Sequence, residues 1–215
     1  MKFKLSHSSL SLMEECQRCF WLDKHGKWNR PKGIFPSLPS GMDGILKNHF
    51  DKFRDRGELP PEIRNHQHTK GLKLFNESEL LKVWRSNFKG IRWEDKKGNV
   101  LSGAVDNILV KGKKLIVLDY KTRGFAVKED TADHYQNQLD FYNFLLRKNG
   151  HETEDYAFLL FYYPKEVMED GKVAFDSLLA KREVNVKNAE KIFENAIKLL
   201  NSGCPKKSCE WCDGK

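Results

Sequence analysis

Two aspartates and a lysine, Asp106, Asp119 and Lys121, interrupt a stretch that is otherwise apolar and β-branched. Their flanks, Ser102-Gly-Ala-Val-Asp106-Asn-Ile-Leu-Val and Lys114-Leu-Ile-Val-Leu-Asp119-Tyr-Lys121, read as strands at 100–110 and 114–120, joined by a tight turn at Lys111-Gly112. A two-residue loop there makes facing positions sum to 223, so Asp106 opposes Val117 and Asp119 opposes Ala104. Side chains alternate faces, and Asp106, Asp119 and Lys121 therefore project from one side. The carboxylates become diagonal neighbours, roughly 7–8 Å apart at the backbone. Acids converging from that distance can share a divalent cation. Burying two acids and a lysine in an apolar hairpin is costly unless a metal or a partner compensates them. A surface hairpin with Asp106 paired to Lys121 is the competing reading. The unbroken Leu-Ile-Val-Leu before Asp119 opposes it, because a strand apolar on both faces is covered on both.

Five cysteines form a second group. Cys16 and Cys19 make a Cys-x-x-Cys pair near the start, and Cys204, Cys209 and Cys212 follow near the end. In an intracellular protein such clustering points to a metal rather than to disulfides. Cys16, Cys19, Cys209 and Cys212 supply two Cys-x-x-Cys pairs, a spacing suited to tetrahedral zinc. Free thiols, with Cys16 or Cys19 in the core, are the plain alternative.

The chain has 215 residues, 39% hydrophobic and 32% charged, a composition of a charged-surfaced globular protein with one domain or a core plus an elaborated flank. No apolar run is long enough to cross a membrane, and Met1-Lys-Phe-Lys-Leu-Ser has no apolar leader core, so a cytoplasmic location is expected. Thirty-eight basic against 30 acidic residues, a net charge of +8, favour a polyanionic partner.

These residues need elements to position them. Ser8 or Ser9 caps a first helix reaching Lys24; a Gly/Pro-rich connector runs over 26–40, and a helix follows near 41–56. Short helices begin near Pro61 and Glu77. Strands near 88–95, 99–110 and 113–121 form an antiparallel meander, and a helix spans 131–148. A buried strand at 155–163, an edge strand at 172–184 and an amphipathic helix at 186–201 complete the order.

Gly103-Ala-Val-Asp106 followed by Leu118-Asp119-Tyr120-Lys121-Thr122 resembles the PD-(D/E)xK nuclease superfamily, in its RecB-like exonuclease branch, which includes CRISPR-associated members. Gln138-Leu-Asp-Phe-Tyr142 resembles that branch's Gln-x-x-x-Tyr motif. Ser8-Ser-Leu10 leading to Cys16-Gln-Arg-Cys-Phe20 resembles its N-terminal helix, with Gln17 in place of a proline. The resemblance implies an α/β fold: a restriction-endonuclease-like core with a mixed central sheet flanked by helices. One nuclease domain over 1–215 is expected, with a helical part at 1–86, a catalytic core at 87–163 and an edge strand, helix and cysteine-rich tail at 164–215.

The resemblance also implies roles. Asp106, Asp119 and the Tyr120 carbonyl hold Mg²⁺ or Mn²⁺, and His49 is the candidate for a further ligand from the preceding helix, where Asp43, Lys47 and Asp51 are its neighbours. Lys121 orients the attacking water or neutralises developing charge; its plain role is an ion pair with an aspartate. Gln138 and Tyr142 share a helix face. Gln138 contacts water or phosphate; Tyr142 contacts nucleic acid or only packs. Thr122 and Arg123 bind backbone phosphate or form plain loop surface. Iron–sulfur members of the branch imply a 4Fe–4S cluster on Cys16, Cys204, Cys209 and Cys212, beside the zinc alternative that includes Cys19. The tail departs from that pattern, running Cys-x4-Cys-x-x-Cys.

The function expected is a metal-dependent nuclease cutting DNA at single strands or ends, in repair, recombination or defence. A helicase or recombination factor is the expected type of protein partner. An inactive nucleic-acid-binding protein on the same fold is the alternative, and RNA shares the same phosphate chemistry.

Overall fold

The computed structural model describes every residue from Met1 to Lys215. In chain order the elements are β1 (Lys4–Ser6), α1 (His7–Glu15), α2 (Gln17–Lys24), α3 (Ser37–Asp55), α4 (Pro61–Arg64), β2 (Lys73–Leu74), α5 (Ser78–Trp84), β3 (Ile91–Glu94), β4 (Val100–Gly103), β5 (Asn107–Lys111), β6 (Lys114–Thr122), α6 (Gln136–Lys148), β7 (Tyr156–Val167), β8 (Val173–Glu183) and α7 (Val186–Leu200). The main sheet has the order β2-β5-β6-β7-β8. Its β6–β7 pair is parallel and the others are antiparallel, as expected for a mixed central sheet. A parallel pair needs a long crossover, and the segment carrying α6 provides it. A smaller sheet, β1-β4-β3, flanks the first.

Both faces of the main sheet are covered. On one, Val117, Leu159 and Phe161 pack with Leu139, Leu146 and Phe193 of α6 and α7. On the other, Ile116, Leu118, Tyr120 and Leu160 pack with Leu46, Phe50 and Ile63 of α3 and α4. This burial explains the continuous apolar runs in β6 and β7; each large side chain so removed from water contributes about 1.5–3 kcal/mol. Helix α6 is buried almost all round, and even its Asp140 is enclosed. That carboxylate accepts hydrogen bonds from the Asn185 N–H, Asn188 Nδ2 and Gln136 Nε2, which ties the start of α6 to the start of α7.

Four departures from the expected elements matter most here. The strand expected at 99–110 is two strands in two sheets, broken at Ala104-Val105-Asp106. Gly103 permits the break: a Cβ there would sit 2.8 Å from the Tyr142 ring. Beyond it the Val105 N–H donates to the Trp84 carbonyl instead of to a strand. The hairpin turn is Gly112-Lys113 rather than Lys111-Gly112, since Lys111 pairs with Lys114 and Gly112 takes φ +61°, the glycine-first turn favoured in tight hairpins. The first helix is two helices. Ser6, not Ser8 or Ser9, caps α1 by accepting from the Ser9 N–H, and Cys16, extended at φ −157°, separates α1 from α2. Finally, α3 begins at Ser37, four residues before the expected start, with Pro39 accommodated in its first turn where a missing N–H loses no helical bond.

Candidate active site and four-cysteine centre

Moving the turn by one residue changes the facing sum by two, so every side chain keeps its face but changes partner. Ile108 pairs with Val117 and Asn107 with Leu118, and continuing that register by one residue brings Asp106, in the bend before β5, to face Asp119 instead of lying diagonal to it. Asp106 Oδ2 accepts from the Tyr120 N–H at 2.8 Å, and its Oδ1 lies 3.2 Å from Lys47 Nζ of α3. Arg85 holds the backbone behind it, donating from Nε to the Asp106 carbonyl at 2.7 Å while its other end grips both Asp51 oxygens. Beneath, Arg54 donates to Asn107, and Asn107 donates to the Tyr120 hydroxyl.

Asp119 is 2% exposed. Burial pushes its carboxyl up to about 7; the Lys121 ammonium opposes the rise and the Asp106 carboxylate adds to it. Lys121 Nζ pairs with Asp119 Oδ2 as a close buried ion contact whose angle is not that of a hydrogen bond. Lys121 donates instead to Gln138 Oε1 at 2.8 Å, and Gln138 Nε2 donates to the Tyr142 hydroxyl at 2.8 Å. The Lys121 ammonium also sits 4.6 Å from the Tyr135 ring centre. Two converging carboxylates, one of them buried, suit a hard divalent cation that prefers oxygen donors.

Of the expected residues, Asp106, Asp119, Lys121 and Gln138 are brought together. His49 is not. It lies about 200° around α3 from Lys47, given 3.6 residues per turn. Its Nε2 is 3.0 Å from Glu62, which also accepts from the Tyr162 hydroxyl, and its ring packs edge-on to Phe53. Lys47 occupies the place facing Asp106 that His49 was expected to fill. Tyr142 follows the packing alternative for its ring, which is 6% exposed and covered by Gly103. Burial raises its hydroxyl well above the ordinary tyrosine range. The Tyr120 side chain points away from the acids and packs against Phe50. Thr122 ends β6, and the exposed Arg123 reaches the Tyr135 hydroxyl. Sequence reasoning missed Arg85, which closes α5 with no motif to mark it.

A family model of the PD-(D/E)XK nuclease superfamily matches residues 37–215. The chain belongs to that superfamily. No curated protein matches it. Among PD-(D/E)XK nucleases the substrate is nucleic acid and divalent metals are the usual cofactor; no helix of this member is long and apolar enough to cross a membrane.

The PD-(D/E)XK fold here carries a separate centre. The sulfurs of Cys16, Cys19, Cys209 and Cys212 all lie within 4.8 Å of one another. Cys16 and Cys212 are 3.8 Å apart, Cys19 and Cys209 3.5 Å, and Cys209 and Cys212 3.8 Å. Cys204, expected in the iron–sulfur set, is outside this group, with its sulfur 3.4 Å from Arg18. Burial raises the Cys209 thiol, but hydrogen bonds, including those from the backbone of Trp211 and Cys212, outweigh it and lower the group to about 6. Arg30 points at the Cys19 and Cys209 sulfurs and lies over the Trp211 ring. Four converging thiols with cationic neighbours fit a thiophilic metal held as a thiolate complex.

Proposed function

We propose that this PD-(D/E)XK protein is a metal-dependent nuclease of the RecB-like kind that hydrolyses DNA phosphodiester bonds in single strands or from ends. The observation that carries the reading is the convergence of buried Asp119 and Asp106 beside the Lys121–Gln138 pair. Asp106, Asp119 and the Tyr120 carbonyl would hold Mg²⁺ or Mn²⁺, which supplies neutralisation of the charge that builds on the phosphate. The chain's own groups do the positioning. Gln138, fixed by Tyr142, holds the Lys121 ammonium at the acids, where its remaining donors can meet a phosphate oxygen and the attacking water. Thr122, the last residue of β6, and Arg123, just beyond it, would hold the backbone of the bound DNA.

End-labelled linear and circular single-stranded DNA, incubated with Mg²⁺ or Mn²⁺, tests the reading. Mono- or short oligonucleotides from linear DNA, with circles spared, are expected of an exonuclease; cut circles would make it an endonuclease. No cleavage with either metal, despite salt-sensitive DNA binding, would favour a non-catalytic binding protein. RNA run in parallel decides the sugar. Such an activity suits a cytoplasmic role in repair, recombination or defence, beside a helicase or recombination factor.

Two substitutions on α3 separate the supporting groups. Lys47→Ala removes a direct partner of Asp106 and is expected to weaken metal affinity about 10–100-fold, the range for outer partners of metal ligands. His49→Ala is expected to leave the metal titration of cleavage within about threefold, because its contacts are to Glu62 and Phe53. A collapse of metal affinity in His49→Ala would return the histidine to the ligand set.

At the cysteine centre we infer zinc, bound by Cys16, Cys19, Cys209 and Cys212. A Zn–S bond of about 2.3 Å sets tetrahedron edges of about 3.8 Å; three of the six sulfur separations are 3.5–3.8 Å and all stay within 4.8 Å. A cubane cluster places four irons between its thiolates and holds them farther apart.

A further inference from the structure

A cavity of about 380 Å³ opens beside the Lys121–Gln138 pair, and Gln138 and Tyr142 form its inner wall. Its outer walls come from the start of α1, with His7 and Ser8, and from the loop between α5 and β3, with Asn87 and Lys89. No acidic residue lines it. Lys89 is exposed, and the loop's internal hydrogen bonds use only its backbone, leaving the ammonium free. Burial, with the Lys121 charge second, lowers His7 to about 4, so the imidazole is neutral at physiological pH and adds no like charge against Lys89. The cavity therefore offers an ammonium, an amide and a hydroxyl, a set of donors suited to a phosphate.

The outer loop is fixed, and it presents an aromatic ring to solvent. Ser86 Oγ accepts from the N–H groups of Phe88 and Lys89, and Arg92 Nε donates to the Lys89 carbonyl. Gly90, at φ +55°, packs so closely that a Cβ would sit 2.4 Å from the Gly103 carbonyl oxygen. On this anchored loop Phe88 is 87% exposed, between the two cavity residues Asn87 and Lys89. Packing gives no reason for it. An exposed aromatic beside a cationic groove is the arrangement by which unpaired bases are held, since every base has a face to stack.

Resting on the nuclease reading above, we propose that this cavity is the subsite for the nucleotide next to the scissile phosphate of an unpaired strand. Lys89, Asn87 and Ser8 hold its phosphate, and Phe88 stacks on its base. A base inside a duplex has both faces covered by its neighbours and cannot lie on Phe88, so the subsite selects single strands and frayed ends.

The test uses the full chain and a short fluorescein-labelled oligothymidylate, with binding read by anisotropy without added divalent metal. Phe88→Ala is expected to weaken binding about tenfold or more, within the range for loss of one stacked base. Lys89→Ala should weaken it and lower the slope of log affinity against log salt by about one. Lys113→Ala, on the distant hairpin turn, controls for general charge, and blunt duplex binding should change little in Phe88→Ala. With Mg²⁺ or Mn²⁺, the same variants should raise KM for the oligonucleotide with kcat within about twofold. Both altered side chains are exposed, and matching thermal melts check folding. Wild-type affinity and KM in both variants would overturn the subsite while leaving the nuclease reading intact. Weakened binding in a protein that cleaves nothing would sustain the subsite and remove the nuclease reading.

Discussion

Asp119→Asn is expected to abolish cleavage while making the metal-free protein more stable. The carboxylate is one of the two acids at the proposed metal position, and a metal acting on a phosphoryl oxygen stabilises the transition state by several kcal/mol. At about 1.4 kcal/mol per decade, its loss lowers the rate on the order of 10³-fold or more. Stability moves the other way. Burial raises this carboxyl from 3.8 to about 7, so the folded state keeps a proton that the unfolded chain has already released. Where the folded state binds more protons, stability falls as pH rises. The metal-free protein should therefore lose stability between about pH 4 and 7, and an uncharged asparagine should not. A displacement of this size carries roughly 4 kcal/mol at about 1.4 kcal/mol per tenfold change in proton affinity. Lys121 losing its partner takes back part, which leaves on the order of 2 kcal/mol. For a chain of this length that is about 4–8 °C in melting temperature at pH 8, and the difference should vanish near pH 4. Metal binding to wild type should strengthen as pH rises toward 7, with proton release measurable by calorimetry in two buffers. A variant that melts lower at pH 8, or still cuts, would remove Asp119 from this role.

With zinc in the four-cysteine centre, its removal is expected to destabilise the molecule strongly. The purified protein is expected to be colourless and to hold about one zinc per chain; a brown protein with visible absorption lost on oxidation would establish a cluster instead. Hydrogen bonds lower the Cys209 thiol, and Cys209→Ser breaks both the Cys19 and the Cys212 contacts. Structural zinc contributes folding free energy directly. Losing even about 3 kcal/mol of it would lower the melting temperature by roughly 6–12 °C at this chain length. The tail should become protease-sensitive first. Cleavage chemistry should persist in the cold, because the acids stand on a different hairpin. A Cys209→Ser protein that melts like wild type and contains no metal would leave ordinary thiols.

The fold was legible where local pattern and burial agree. The apolar runs of β6 and β7 announce strands covered on both sides, and the spacing in α7 announces one buried face. The acids and Lys121 were legible for the same reason: charge inside such a strand has to be explained. Their partnership was not, because a one-residue uncertainty in the turn changes who faces whom while preserving which side they face. The break at Ala104–Asp106 was hidden, since Gly103 yields to a Tyr142 ring that lies far along the chain. His49 shows the limit most clearly. A helix offers several polar groups within two turns, and only the packing of Phe50 against Tyr120 decides that Lys47 turns toward Asp106. The cysteine spacing named both possible sets, and only the folded chain brings Cys19 in and leaves Cys204 out.

The extended residue at Cys16, which separates α1 from α2, aims one sulfur of the early pair at Cys212, 196 positions away. With a zinc ion seated, the coordinate bonds would make the linear chain a ring. Closing so long a loop reduces the freedom of the unfolded chain, but each doubling of loop length adds only about 0.6 kcal/mol, so the gain depends little on the exact length. The effect on biosynthesis is sharper. During translation the early cysteines must wait as uncoordinated thiols until the late pair clears the ribosome, exposed throughout to oxidants and competing metals.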